Sequence, residues 1–337
     1  MWIFPEFKRF HPLGNRITTA VATVLLLISC TPNKTVTESS QKAIASTPTT
    51  PSGAIAPTSD PVIAAAGDIS CNAASGTAQH NNPRADTCQM RATSDLILNS
   101  QVTAVLPLGD EQYDNGALAD FQQSYDLTWG RLNSIAHPVP GNHEYHTSGA
   151  SGYFRYFGAI AGDPAKGYYS YDLVSWHLVA LNSTCSAVGG CGANSPQVRW
   201  LKADLAAHPS QCTLAYWHQP RFSSGPHGSD RAYDAFWQAL YAAGAEVVLN
   251  GHDHTYERFA PQAPGSRADA AHGIREFVVG TGGRSVYSFT STQPNSEVRK
   301  TGIYGVLKLT LHPDSYDWEF SAIPGTPFTD SGHDSCH

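Results

Sequence analysis

VTAVLPLGDEQY, residues 102–113, is the stretch that most strongly indicates how this chain folds. Its apolar run Val102–Leu108 has the length and β-branched content of a buried strand. The run ends at Gly109, the carboxylate of Asp110 follows at once, and Tyr113 lies three residues further on. A strand that delivers an acid through a glycine turn places that acid at its carboxyl end, where open α/β sheets build their functional sites.

Four other apolar runs end in the same way, in side chains of the types that bind metal ions. The runs cover residues 62–67, 135–141, 213–217 and 245–251. The polar side chains that follow them are Asp68, Asn142, His143, Glu144, His218, His252, Asp253 and His254. One such run would mean little, because buried strands often end in a solvent-facing Asp or His. Five of them predict a metal site at the carboxyl ends of strands.

The charge balance argues against a nucleic-acid-binding surface. The chain of 337 residues has a formal net charge of −7, whereas nucleic-acid-binding domains are strongly basic. An anionic substrate would therefore need local attraction, which bound metal ions can supply. The length suits one large domain or two smaller ones.

The N-terminus has the features of an export signal. Lys8, Arg9 and Arg16 form a basic region, and the apolar segment Ile17–Ile28 is shorter than the ~20 residues of a membrane span. The segment LISC that ends at Cys30 resembles the bacterial lipobox, in which cleavage precedes a lipidated cysteine. The alternative is an ordinary secretory signal with a stray cysteine, which would give a secreted soluble protein.

This interpretation divides the chain into three regions. Residues 1–29 are a lipoprotein signal peptide, residues 30–60 a tether, and residues 61–337 one catalytic domain. The tether is rich in Thr, Ser and Pro and cannot bury enough apolar surface to fold, so we expect it to be disordered. We expect an exported protein, held at the membrane only by its N-terminal lipid, in the periplasm or at the cell surface.

The cysteine count fits this location. The chain has seven cysteines, and assigning Cys30 to lipid leaves an even set, typical of three disulfides in an exported protein. The sequence cannot choose among the 15 connectivities that six cysteines allow. Nearest-neighbour pairing would join Cys71 to Cys88, Cys185 to Cys191 and Cys212 to Cys336. A thiolate metal site is disfavoured because no CxxC motif is present.

The hydrophobic periodicity of residues 61–337 predicts a mixed α/β domain. Predicted helices cover residues 90–99, 116–131, 195–207 and 231–243. A β-hairpin is predicted over 167–181, and later strands over 275–279, 305–311 and 315–322. The glycine-rich segment 280–284 (GTGGR) could cradle a phosphate, although such a turn after a strand is more often only a turn.

The predicted ligands indicate which metals would bind. Histidines combined with carboxylates suit first-row transition metals rather than calcium, and the set is too large for one tetrahedral zinc. Two ions that share a bridging carboxylate is the economical arrangement. Tyr113 adds a phenol, whose usual pKa is about 10, and its binding as phenolate indicates a ferric ion. If Tyr113 only lines the wall of the site, the inference of iron fails.

Taken together, these segments resemble the five sequence blocks of the purple acid phosphatases, within the calcineurin-like metallophosphoesterases. The matching blocks are Gly67-Asp68, Gly109-Asp110-x-x-Tyr113, Gly141-Asn142-His143-Glu144, His218 and Gly251-His252-x-His254. The match continues through HTYER, residues 254–258. The wider superfamily usually has a histidine where this chain has Ser70, and the purple branch differs in the same way.

The resemblance implies a fold and a role for each matching residue. The fold is a two-sheet β sandwich flanked by helices. Asp68, Tyr113 and His254 would hold the ferric ion. Asn142, His218 and His252 would hold a divalent ion of iron, zinc or manganese. Asp110 would bridge the two ions. His143 would bind no metal; it would be the catalytic residue that faces the substrate and protonates the leaving alkoxide or stabilises its charge.

These expectations describe an enzyme that hydrolyses phosphate monoesters of small molecules by metal-hydroxide attack, of the acid phosphatase type. His146, Arg221 and His227 are weaker candidates for substrate contacts. One alternative is a phosphodiesterase or nucleotidase of the same superfamily that uses manganese or zinc. Another is a non-catalytic surface lipoprotein that keeps the fold for binding, which the intact ligand set disfavours. The sequence does not indicate an oligomeric state.

Overall fold

The computed structural model describes residues 60–72, 87–210 and 212–337. The predicted signal peptide, the lipidation site Cys30 and the tether up to residue 59 lie outside these residues. Among the residues described, none of the helices combines the length and the apolar character that a membrane crossing requires.

The described residues form a mixed α/β fold. The strands are β1 (Val62–Ala66), β2 (Ala104–Pro107), β3 (Tyr169–Leu173), β4 (Trp176–Ala180), β5 (Cys212–Tyr216), β6 (Val247–Asn250), β7 (Tyr256–Phe259), β8 (Gln262–Ala263), β9 (Arg267–Ala268), β10 (Arg275–Val279), β11 (Ser296–Lys300), β12 (Gly305–Leu311), β13 (Ser315–Ala322) and β14 (Thr329–Ser335). The α-helices are α1 (Met90–Leu98), α2 (Leu118–Asp120), α3 (Ser151–Phe157), α4 (Pro196–Ala207) and α5 (Asp234–Ala242).

Two large sheets carry the fold. The first has five strands in the order β14-β13-β12-β1-β2, and the second has seven in the order β11-β7-β10-β6-β5-β4-β3. The strands that lead into the predicted site run parallel: β1 pairs with β2, and β4, β5, β6 and β10 pair in succession. Parallel strands bring their carboxyl ends to one edge, where sites form in α/β sheets.

The two sheets pack face to face, and helices cover the seven-stranded sheet. Along β5, Leu214 faces the core between the sheets, whereas Ala215 faces a second core that includes Leu201 of α4 and Phe236 of α5. Because β5 is buried on both faces, its sequence is a continuous apolar run rather than an alternating one. The two-sheet sandwich flanked by helices expected from the sequence is confirmed.

Several elements begin and end close to where the periodicity predicts them. Helix α4 starts after Ser195, whose hydroxyl accepts a hydrogen bond from the backbone N–H of Val198, with Pro196 at the first helical position. The predicted hairpin is formed by β3 and β4, in the register Tyr169 opposite Ala180. The three late strands coincide with β10, β12 and β13.

The single helix predicted over 116–131 is wrong. The segment breaks into α2, a π-helical turn at Phe121–Tyr125 and a 3-10 helix at Trp129–Ile135. The Tyr125 N–H donates to Oε1 of Gln112, and the Asp126 N–H reaches back to the Phe121 carbonyl. The Gln112 side chain, which lies outside the helix, therefore replaces the helical carbonyl as acceptor for the Tyr125 N–H, and the helical turn at Phe121–Tyr125 widens.

The strand predicted over 135–141 forms only in part. The N–H groups of His137 and Val139 donate to the carbonyls of Val105 and Pro107 on β2. Pro138 and Pro140 have no N–H to donate, so a regular ladder cannot form. The segment still runs beside β2 and delivers Asn142 and His143 to the same edge as Asp110.

Three disulfides join Cys71 to Cys88, Cys185 to Cys191 and Cys212 to Cys336. This is the nearest-neighbour pairing. Disulfides persist in oxidising compartments, so they fit an exported protein.

Candidate metal centre

The carboxyl ends of strands from both sheets meet at one place. Asp68 follows β1, Asp110 follows β2, and His218 and His252 follow β5 and β6. A backbone hydrogen bond joins the two sheets at this place: the Gly67 N–H donates to the Val279 carbonyl at 2.9 Å.

Three of these residues adopt a backbone conformation that side chains normally avoid. Asp68, Asp110 and His252 have φ values of 60°, 50° and 73°. The left-handed region costs a residue with a Cβ atom roughly 1–2 kcal/mol. Strain of this kind persists where the surrounding structure enforces it, and it concentrates at functional sites.

Gly141 allows the 135–141 segment to approach Asp110. A Cβ atom at this position would clash with Oδ1 of Asp110, because the two atoms would lie far inside van der Waals contact. The approach lets the N–H of His143 donate to the same oxygen at 2.9 Å. Glycine is therefore required here by contact rather than by its own φ.

One group of donor atoms surrounds the Tyr113 hydroxyl. This oxygen lies 2.8 Å from Oδ1 of Asp68, 3.0 Å from Oδ2 of Asp110 and 3.1 Å from Nε2 of His254. Nε2 of His254 is also 3.1 Å from Oδ1 of Asp68. All four side chains are buried.

A second group lies on the other side of Asp110. Oδ2 of Asp110 is 3.1 Å from Nε2 of His218, which in turn is 3.2 Å from Nδ1 of His252. The ligand atoms of Asp110, His218 and His252 all lie within 4.8 Å of one another, close enough to hold one ion. Oδ2 of Asp110 belongs to both groups, which is the position of a bridging ligand.

The donor set fits two cations. Nδ1 of His218 lies 2.9 Å from the carbonyl of Leu108, to which it donates, so its Nε2 is free to bind metal. Nδ1 of His254 is held in the same way by the Ser285 hydroxyl at 2.8 Å. Oδ1 of Asn142 is buried and has no hydrogen-bond partner in the described residues. A buried amide oxygen without a partner is available to bind a cation.

The electrostatics of the site are consistent with this fit. Burial raises the pKa of Asp110, but the charges of His218 and His143 outweigh it, and the net pKa is lowered. Burial lowers the pKa of His218, yet the charge and hydrogen bond of Asp110 raise it to about 9. Burial and the charges of Asp110 and Asp68 raise the pKa of Tyr113 well above 10. Binding as phenolate therefore requires a strongly Lewis-acidic ion.

His143 and His146 face the site from one side. Their Nδ1 atoms lie 2.7 Å and 2.9 Å from the same carbonyl oxygen, that of Asp114. Nε2 of His143 lies 3.8 Å from Oδ2 of Asp110. Both rings are accessible from solvent, so both can meet a substrate.

His227 lies at the rim and Arg221 does not. The His227 ring packs on His252 with centroids 4.2 Å apart, and the backbone N–H of His227 donates to Oδ1 of Asp253 at 3.0 Å. The Arg221 side chain is buried, pairs with Asp234 and stacks on Phe222. Among the described residues, the structure places every predicted metal ligand and substrate contact except Arg221 in or beside this cluster; Cys30, the predicted lipidation site, lies outside the described residues.

Two supporting features were not predicted from the sequence. The sequence assigns no metal to Glu144. Its buried carboxylate accepts hydrogen bonds from the backbone N–H groups of Asp110, Gly141 and Gln112. Tyr287 stacks on His254 with ring centroids 3.9 Å apart. The position of Glu144 directly after Asn142 and His143 could have indicated a supporting role. No sequence feature indicates such a role for Tyr287, because it lies far along the chain from every predicted ligand.

Comparisons with known proteins show which family this chain resembles. A family model described as calcineurin-like phosphoesterase matches residues 62–256. Purple acid phosphatase 15 of Arabidopsis thaliana is 28% identical over 203 residues, which cover 49% of this chain and 37% of that protein. Purple acid phosphatase 21 of the same plant is 30% identical over 187 residues, covering 50% and 41%. The chain therefore spans less than half the length of these curated relatives.

Solved structures share the fold. Purple acid phosphatase PPD1 from yellow lupin seeds superposes with a TM-score of 0.67 at 17% identity, covering 82% of this chain and 54% of that one. GAP50, the anchor in the inner membrane complex of Plasmodium, gives 0.56 at 14% identity, covering 81% and 88%. At these identities the likeness shows the fold alone, and the chemistry must be argued from the side chains.

Proposed function

Since the chain belongs to the calcineurin-like phosphoesterase family, we propose that it is a dinuclear metal hydrolase that cleaves phosphate monoesters, of the purple acid phosphatase type. One observation carries the proposal: Oδ2 of Asp110 lies 3.0 Å from the Tyr113 hydroxyl and 3.1 Å from Nε2 of His218. A single carboxylate oxygen is thus shared by two separate groups of metal ligands.

Each group suits a different ion. Asp68, Tyr113 and His254 would hold Fe(III), because a phenol with a raised pKa loses its proton only to a strong Lewis acid. Asn142, His218 and His252 would hold a divalent ion of iron, zinc or manganese, and Asp110 would bridge. When bound, the two ions would neutralise charge on the phosphoryl oxygens and lower the pKa of water.

His143 would donate the proton to the leaving oxygen. Its Nδ1–H is held by the Asp114 carbonyl, which orients Nε2 towards Asp110 and the metal ligands. A proton donor must sit within hydrogen-bond reach of the departing oxygen, and Nε2 is the atom that can do so. His146 and His227 would contact the phosphate or its ester group from the rim.

We also propose that the enzyme is exported and anchored through lipid on Cys30. The three disulfides support export. Small-molecule phosphate esters would be its substrates, since neither the net charge of −7 nor the site suggests nucleic acid.

The test is a visible absorption spectrum of the purified protein, with metal analysis of the same sample. We expect a tyrosinate-to-Fe(III) charge-transfer band that Tyr113→Phe abolishes. Tyr153→Phe is the matched control, because that hydroxyl is equally buried and has no hydrogen-bond partner in the described residues. It should leave the band unchanged.

Other outcomes would redirect the proposal. A colourless protein that carries two zinc or manganese ions and prefers bis- over mono-nitrophenyl phosphate would be a phosphodiesterase. A protein that stays inactive after reconstitution with iron, zinc and manganese would be a binding protein.

A further inference from the structure

Arg284 lies at the edge of the site in a loop fixed to both sheets. The loop follows β10, and the Gly282 N–H donates to the Gly67 carbonyl at 2.8 Å. The backbone N–H of Arg284 itself donates to the carbonyl of Asp68 at 2.9 Å. The position of this arginine is therefore set by the same backbone that positions a predicted metal ligand.

The guanidinium of Arg284 covers Tyr113 and is incompletely paired. Its carbon lies 5.0 Å from the centroid of the Tyr113 ring. Nη2 donates to Oδ1 of Asp114 at 3.2 Å, whereas the buried Nε–H has no partner in the described part of the chain. The side chains of Arg284 and Asp114 are 30% and 60% exposed, so their ion pair is weak and open to competition.

Arg284 lies on the side of the site where the leaving group would depart. Asp114, its ion-pair partner, also accepts hydrogen bonds from His143 and His146 through its backbone carbonyl. His143 is the proposed donor to the leaving oxygen. A charged group carried by the leaving group would therefore meet a guanidinium rather than neutral surface.

We propose that Arg284 is a specificity-determining residue that binds a second phosphate on the leaving group. This inference rests on the proposed function and concerns those substrates whose leaving group carries a phosphate, such as nucleoside diphosphates. A planar guanidinium matches two oxygens of a phosphate, and a phosphate dianion competes well with the carboxylate of Asp114. Because the chain has a net charge of −7, a fixed local cation adds to the attraction that bound metal ions would supply for such a ligand.

The reaction balances without a further reactant. The oxygen of water forms a bond to the terminal phosphorus, and the bond from that phosphorus to the bridging oxygen breaks. The bridging oxygen leaves on the second phosphate, taking a proton from His143 where protonation is needed. Arg284 holds the charge of this departing phosphate and takes no part in proton transfer.

ADP and AMP are suitable probes, because they share a nucleoside and differ in whether the leaving group carries a phosphate. In the metal-loaded full-length protein, Arg284→Gln should lower kcat/KM for ADP roughly 10- to 100-fold, mainly through KM, the range expected for a charged hydrogen bond. Activity towards AMP should change by less than about twofold. Arg284→Lys should restore part of the lost activity towards ADP, because lysine keeps the positive charge but cannot donate two parallel hydrogen bonds to a phosphate.

Arg131→Gln is the matched control. Its guanidinium pairs with Asp95 at 2.7 Å and its side chain is 27% exposed, close to the exposure of Arg284. Its other hydrogen bonds go to Thr128 and Ser94, neither of which is a predicted site residue. This variant should leave both substrates unaffected. Metal content, measured for every variant, should be unchanged.

A binding measurement separates this inference from the proposed function. Calorimetry with the non-hydrolysable α,β-methylene analogue of ADP should show affinity weakened by Arg284→Gln, and AMP affinity should not change. If the wild-type protein is inactive on all esters, the proposed function fails, and the calorimetry still decides the role of Arg284. Equal losses for ADP and AMP, or no loss for either, would overturn the inference.

Discussion

His143 and His146 share one acceptor but have different access to the centre. Both donate Nδ1–H to the Asp114 carbonyl, and their rings lie 4.8 Å apart. Only His143 also donates its backbone N–H to Asp110, which fixes its ring beside the carboxylate that we propose as the bridging ligand. The two side chains have the same chemistry, so their different positions relative to Asp110 explain the different roles that we propose for them.

We expect His143→Asn to lower kcat by about 10²- to 10⁴-fold, the usual contribution of a general acid, with metal content retained. His146→Asn is the control, and it should change KM more than kcat because, unlike His143, His146 has no hydrogen bond or ion pair with Asp110 in the described residues. Steady-state kinetics with metal analysis measures both. A His143 variant that keeps its kcat would rule out this residue as the proton donor.

At the scale of elements, the site depends on how two loops are joined. Glu144 Oε2 accepts from the N–H groups of Asp110 and Gly141, at 3.0 Å and 2.8 Å, and Oε1 accepts from Gln112 at 3.2 Å. One carboxylate thus connects the loop after β2 to the 135–141 segment, which the two prolines keep from pairing fully with β2. It compensates for the backbone ladder that Pro138 and Pro140 prevent.

Glu144→Gln should weaken this connection. The amide nitrogen of glutamine donates hydrogen bonds and cannot accept them. At least one backbone N–H group that donates to the Glu144 carboxylate would therefore lose its acceptor. We expect a lower thermal midpoint and roughly 10- to 100-fold weaker metal binding, as for other supporting residues of metal sites. Glu319→Gln on β13, where the side chain is 58% exposed, should alter neither property. Unchanged metal affinity in the Glu144 variant would show that the loops are held by other contacts.

At the scale of the whole molecule, the C-terminal strand β14 pairs with β13 and is also held by ion pairs and a disulfide. Arg258 pairs with Asp330 of β14 at 2.7 Å, and Arg275 with Asp334 at 3.0 Å. The Cys212–Cys336 disulfide, which spans 124 residues of sequence, joins the end of the chain to the start of β5. The strand that leads to His218 is thereby fixed at its far end.

The disulfides should differ in what they contribute to stability. A cross-link stabilises mainly by restricting the unfolded chain, so the loss grows with loop length. Replacing Cys212 and Cys336 by alanine should lower the free energy of unfolding by about 5 kcal/mol, against about 2 kcal/mol for Cys185 and Cys191. Denaturant unfolding of both variants, at equal metal loading, measures the difference. Equal losses from the two pairs would contradict the loop-length explanation.

The sequence alone determined the local features of this protein. The apolar runs around 62–67, 213–217 and 245–251 predict buried strands because strands buried on both faces need no polar alternation. An Asp or His directly after each run predicts a site at the strand ends, and the ordered blocks indicate the family. These features are local, so residue types and spacing suffice to predict them.

Only the tertiary structure decided which distant groups touch. The helix predicted over 116–131 breaks because Gln112 takes the Tyr125 N–H. Strand β14 is polar and half exposed and gives no periodic signal, yet Arg258 and Arg275 bind it. The location of Arg221 at Asp234, and of Arg284 over Tyr113, depends in the same way on contacts between residues far apart in sequence. Such contacts arise from how the sheets pack, which no local pattern of residues encodes.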